Sequence, residues 1–134
     1  MADDFSDVAI VDGPLSIGPV LTDAAAGAVV DFLGVVRALE HGAPISGIQY
    51  DAHPKMARHQ LVKIAQAAGE RFQCEKVILH HRIGFVPVAA PSLFLRVFAR
   101  HRAAAFAASQ WIVEELKAVV PIWKTPFQDP AAPV

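Results

Sequence analysis

Along this chain the spacing of apolar side chains switches between the period of two that marks strands and the period near 3.6 that marks helices. Residues 7–11, DVAIV, read as a short strand, and the DGPLSIGP that follows is turn material with two glycines and two prolines. Residues 26–37, AGAVVDFLGVVR, are rich in Val and Phe and predict a mostly buried strand. They lead into ALEHGAP, residues 38–44, a loop containing Gly and Pro that is expected to be disordered. ISGIQYDA, residues 45–52, predicts a further strand.

The period then changes. His53-Pro54 opens a helix, with proline acceptable in the first turn. Ala57, Leu61, Ile64, Ala68 and Phe72 follow at spacings of 4, 3, 4 and 4, which is one helical face. KVILHHRIG, residues 76–84, returns to strand character, and VPVAAP connects it to SLFLRVFAR, residues 92–100. In that last run Leu93, Leu95, Val97 and Ala99 share one side, with Arg96 and Arg100 on the other. A second helix is predicted from about 102 to 118, with Ala105, Ser109, Ile112 and Leu116 on its buried face and Phe106 and Val113 beside them. Pro121 stops it, PIWK is extended, and residues 125–134 read as an irregular tail. Strands and two main helices mixed along 134 residues predict a single α+β domain, a largely antiparallel sheet covered by the helices.

Composition narrows the class. At 54% hydrophobic residues the chain can bury a real core, yet its apolar runs are too short for a membrane span of about 20 residues. The acidic start, MADDFSDVAIVDG, does not read as a secretory signal, so a cytoplasmic protein is expected. Cys74 is the single cysteine, which excludes an internal disulfide and a multi-cysteine zinc site; it reads as a small buried hydrophobe. His80 and His81 point to opposite faces of a strand and cannot chelate one metal together. The net charge of −1 argues against general nucleic-acid binding. Charge is nevertheless uneven: residues 76–124 hold seven Lys or Arg against two acids. A local basic field of that kind suits a compact anion.

Three places carry candidate chemistry. In ARHRAAAF, residues 99–106, a strand hands over to a helix at His101-Arg102, where free backbone N–H groups favour an anion and arginine can grip phosphate with paired hydrogen bonds. GVVR, residues 34–37, ends a strand in Arg37 ahead of a loop, a common location for binding residues. LKAVVPIWK, residues 116–124, brackets an apolar stretch with two of the chain's lysines, Lys117 and Lys124. Two ammonium groups in one partly desolvated pocket would either free an amine for proton transfer or nucleophilic attack, or clamp an anionic substrate. Asp51 and Glu40 are further acid–base candidates, with no carboxylate pair standing out.

These residues also carry a family resemblance. GAVVDFLGVVR, MARHQLVKIA, HRIG, HRAAAFAASQWIVEELK and VPIWK resemble, in order and spacing, the large, catalytic subunit of molybdopterin synthase, over about residues 27–124. The resemblance implies that family's hammerhead-like fold. It also implies transfer of sulfur to cyclic pyranopterin monophosphate (precursor Z), giving the molybdopterin dithiolene of the molybdenum cofactor. The sulfur would come from the thiocarboxylated Gly-Gly C-terminus of a small ubiquitin-like subunit, without a cofactor or metal of this chain's own. By the same resemblance Lys117 and Lys124 are the catalytic lysines. Arg37, His101 and Arg102 hold the pterin and its phosphate, and Phe32 lines the pocket.

Arg102 and Lys117 lie fifteen residues apart on one predicted helix, about 22 Å along its axis. One small pterin does not span that distance, which predicts a homodimer whose sites take His101 and Arg102 from one copy and the lysines from the other. The family's arrangement, a central dimer with a small subunit at each end, agrees. Three departures stand against the family pattern: Pro126 where an acid usually follows WK, a C-terminal segment without one basic residue, and Ala89-Ala90 where a Gly-acid pair is common. The first two favour a second reading, a dimeric binding module for the small subunit or a phosphorylated ligand; retention of both lysines opposes it.

Overall fold

A computed structural model describes residues 5–128. Seven strands and two helices follow one another as β1 (Ser6–Asp12), β2 (Ala28–Val35), β3 (Leu39–Glu40), β4 (Ala43–Ala52), α1 (Pro54–Phe72), β5 (Lys76–Pro87), β6 (Pro91–Ala99), α2 (Arg102–Val119) and β7 (Ile122–Gln128). The sheet runs β2-β6-β5-β4-β3, with β1 added to β5 and β7 to β4. Every pairing is antiparallel except β1 with β5. The α+β expectation therefore holds.

β5 organises this sheet. Its first half pairs with β6 and β1, and residues 84–87 pair with β4. The change of partner falls at Gly84, whose φ of 87° lies in the region that L side chains avoid. One apolar face of this framework packs on the helices. Val77, Leu79, Leu93, Leu95 and Val97 from the sheet meet Leu61, Ile64, Ala68, Ala108, Ile112 and Leu116. At this core the helical spacing was legible: Ala57, Leu61, Ile64 and Ala68 of α1 are buried, and Phe72 packs at the margin. On α2, Ala105, Ser109, Ile112 and Leu116 are buried, while Phe106 points out at 62% exposure.

β6 is buried along nearly its whole length, on both faces. The alternation placed Arg96 opposite the core, and so it is. It is not solvated, however, because the segment before β2 lies over it. The guanidinium donates to both Asp31 carboxylate oxygens, at 2.6 and 2.8 Å, and to the carbonyls of Gly18 and Pro19. Asp31 is its direct cross-strand partner. The carboxylate raises the Arg96 pKa above its ordinary value, against the opposing effect of burial. This pair pins β2 to the sheet.

Three expectations are corrected. β2 is not mostly buried: among the described residues it pairs only with β6, and Phe32, Leu33 and Val35 stay 37%, 44% and 48% exposed. Residues 38–44 are not a disordered loop. β3 pairs with the start of β4 across a tight turn at His41 and Gly42, whose φ values are 51° and 79°. Positive φ at both central residues matches the twist of a two-residue hairpin. Residues 125–128 of the expected tail belong to β7, paired with β4 from Ile45 to Ala52. Pro126 is tolerated because β7 lies at an edge, where a missing N–H costs the ladder little. The rest of that tail lies outside the described residues. No described helix is long and apolar enough to cross a membrane.

Candidate functional site

α2 connects two hollows, one at each end. Its last turn brings Lys117 to a cavity of about 540 Å³, a size typical of small-molecule sites. Several layers of the fold meet there. β2 and the residues after it contribute Phe32 and Arg37, β4 contributes Ile48 and Tyr50, and β7 contributes Lys124. Lys124 reaches the site because β7 pairs with β4 in a register that sets it opposite Tyr50. The two lysines of LKAVVPIWK thus share one pocket with Arg37 and Phe32. Both lysines and Arg37 are exposed at its margin.

Glu40 also lines this pocket, and its side chain is only 17% exposed. The β3–β4 turn holds it 3.9 Å from Arg37. Asp51, the other carboxylate candidate, is exposed and accepts a hydrogen bond from Gln49 at 3.3 Å. The residue that sequence reasoning missed is His81. It is 5% exposed and lines the same pocket, with its ring edge-on to Tyr50 at 5.3 Å. Its Nδ1–H donates to the Arg82 carbonyl at 2.8 Å. Burial, with a smaller contribution from the Lys124 charge, holds its pKa below the ordinary histidine value, although the carbonyl contact works the other way. The adjacent pair HH invited only the question of metal chelation; the period-two burial of Val77, Leu79 and His81 was the available signal. Among the described residues no group of three or more His, Cys, Asp or Glu is arranged to hold a metal ion.

The other end of α2 is simpler. Gly27, Arg100, His101, Arg102 and Ala103 line an open hollow. His101 is the N-cap, extended at φ −132° and ψ 152°, without a side-chain capping bond, and the first turn carries no acid. Backbone N–H groups there are left to an anion or to water. Gly27 closes the hollow because a Cβ at this position would stand 2.3 Å from the Arg100 carbonyl oxygen. His101 and Arg102 are both exposed. Within one chain they do not meet the lysines, since the length of α2 separates the two hollows.

Residues 10–119 match the family model described as MoaE protein. The chain belongs to the MoaE family. It is 36% identical over 119 residues to the molybdopterin synthase catalytic subunit of Halalkalibacterium halodurans, covering 87% of this chain and 76% of that relative. Longer fungal relatives of the same name are spanned over 58% and 53% of their length. The crystal structure of molybdopterin synthase from Staphylococcus aureus superposes with a TM-score of 0.82, at 27% identity, covering 92% of each chain. A complex of subunits 1 and 2 of the molybdopterin-converting factor from Helicobacter pylori contains a chain of the same fold, with a TM-score of 0.69 at 19% identity and coverage of 92% and 90%.

Proposed function

We propose that this MoaE-family chain is the catalytic subunit of a molybdopterin synthase. It takes sulfur from the thiocarboxylated Gly-Gly C-terminus of a small ubiquitin-like subunit and places it on cyclic pyranopterin monophosphate. The product is the molybdopterin dithiolene of the molybdenum cofactor. The observation that carries this reading is the gathering of Lys117, Lys124, Arg37 and Phe32 on one pocket. An acyl thiocarboxylate and a cyclic phosphate are both anions, and three cations at one margin suit both. Lys117 stands beside the partner's C-terminus and handles protons, and Lys124 stabilises negative charge as it develops. Arg37 holds phosphate, and Phe32 forms an apolar wall for the pterin.

His101 and Arg102 complete the site from a second copy of the chain. The distance along α2 supports this division, as does the apolar edge that β2 leaves open at Phe32, Leu33 and Val35. An open sheet edge bearing apolar side chains is a ready surface for another chain. The assembly is then a central homodimer with a small subunit at each end. No metal or cofactor of the chain's own enters the step, because the partner delivers the sulfur.

Reconstitution tests the reading. The chain is mixed with a thiocarboxylated small subunit and cyclic pyranopterin monophosphate, and molybdopterin is quantified as its fluorescent oxidised derivative. Product that disappears in Lys117→Ala supports sulfur transfer. No product from a chain that binds the small subunit supports instead a binding module that has lost turnover, with Pro126 as the first residue to restore to an acid.

A further inference from the structure

Sulfur transfer from an acyl thiocarboxylate to carbon passes through an acyl–S–carbon thioester, and that bond must break before the small subunit can leave. Water is the acyl acceptor, and water needs a base to become a competent nucleophile. The lysine pocket holds such a group at its wall. His81 gives its Nδ1–H to the Arg82 carbonyl, so the remaining nitrogen, Nε2, carries a lone pair. That nitrogen makes no hydrogen bond within the described residues. Nor is it sealed: the only fully enclosed side-chain nitrogen or oxygen without a partner among the described residues is Arg82 Nε. His81 lines the cavity, and we assign the opening of Nε2 to it.

We propose that His81 is the general base that releases the small subunit by hydrolysing this thioester. The inference rests on the sulfur-transfer function proposed above. Nε2 takes a proton from water as the water oxygen attacks the acyl carbon. The tetrahedral oxyanion then collapses, the carbon–sulfur bond to the acyl group breaks, and sulfur remains on the pterin as a thiolate. The small subunit departs as a carboxylic acid that ionises to the carboxylate, and its proton and the one on the imidazolium both pass to solvent. No atom changes oxidation state, and water is the one co-reactant.

The surroundings fit a base rather than an acid. Lys124 on β7 and Lys117 on α2 face the same cavity, with Arg37 after β2, Glu40 on β3 and Tyr50 on β4 completing the titratable lining. Three cations against one carboxylate disfavour a charged imidazole and favour an oxyanion beside it. Burial acts in the same direction and keeps the ring neutral near pH 7.

The test follows the reconstituted complex by intact mass, comparing wild type with His81→Gln. The variant is expected to form the small subunit–pterin thioester adduct, to accumulate it, and to release it at least about 100-fold more slowly. Wild-type release should be flat across neutral pH and fall in acid; the variant should lack that limb. Normal turnover by His81→Gln overturns the proposal, and so does lost product without adduct. If glutamine disrupts folding, seen as a lost melting transition, nitrogen NMR of the wild-type complex decides. A proton on Nδ1 alone at neutral pH supports the role, and a proton on Nε2 overturns it. A wild type that makes no product removes both the sulfur-transfer reading and this one. An active wild type beside an equally active variant removes only the role of His81.

Discussion

The two ends of α2 are built on different principles. At its C-terminal end several strands converge on the lysine pocket, with a buried imidazole in the wall and a carboxylate held by a tight turn. At its N-terminal end one strand-to-helix junction and a glycine make an open hollow, and its two candidate side chains, His101 and Arg102, stand in solvent. The first has its own walls. The second has the chemistry for an anion but little enclosure. The difference supports the proposal that one chain carries two unequal parts of a site, which a second copy would join.

The comparison breaks most severely at the lysines. Lys117→Ala should lower product formation by about 10²- to 10⁴-fold with an unchanged melting temperature, because an exposed helix-end lysine contributes little to the fold. A parallel loss of stability would mean that the lysine end is structural. Asp31→Ala acts on both ends together, since β2 starts beside the N-terminal hollow and ends at the lysine pocket. It leaves Arg96 charged and buried, and should cost about 3 kcal/mol in chemical denaturation. Arg102→Ala should weaken pterin binding by about 10- to 100-fold, measured by titration, without altering small-subunit binding.

Acid should also act on the lysine end. The folded-state pKa of His81 is depressed, so the unfolded chain binds its proton first as pH falls. Stability should therefore be full above the unperturbed histidine value and decline below it, and His81→Gln should remove that part of the decline. Melting temperatures across pH check this. The smallest effect lies away from both hollows. Ala89 adopts φ 75° in the β5–β6 turn, where only glycine is unstrained. Ala89→Gly should stabilise by about 1 kcal/mol and leave binding at either end unchanged.

Periodicity made the core and the order of the main elements legible, because burial repeats along α1, α2 and the first half of β5. What it could not show was the cover supplied by aperiodic sequence. Arg96 looked like an outward residue, since nothing in PLSIGP says that it lies over a strand. Residues 125–128 looked irregular because proline reads as a breaker, yet an edge strand accepts it. The pattern of β2 was read as burial when its apolar side chains exceed what one chain covers. At the site, Lys117, Lys124, Arg37 and Phe32 were named from sequence and meet in one pocket. Glu40 was only a loose candidate there, because its place depends on the turn at His41 and Gly42. Cys74 kept its bland reading: burial, with Glu75 nearby, pushes its thiol up to about 11, too high for a neutral-pH nucleophile.

The shared site is tested most directly by mixing two defects. Chains carrying Lys117→Ala and Arg102→Ala are co-expressed with different affinity tags, and the doubly tagged dimer is isolated and assayed at limiting pterin. One of its two sites then carries both substitutions and the other carries neither. A composite site predicts about half of wild-type activity from that mixed dimer at limiting pterin, where each variant alone turns over at least about 10-fold more slowly than wild type. A mixed dimer as inactive as its parents would contradict it, and would place lysines and arginine in one site of one chain.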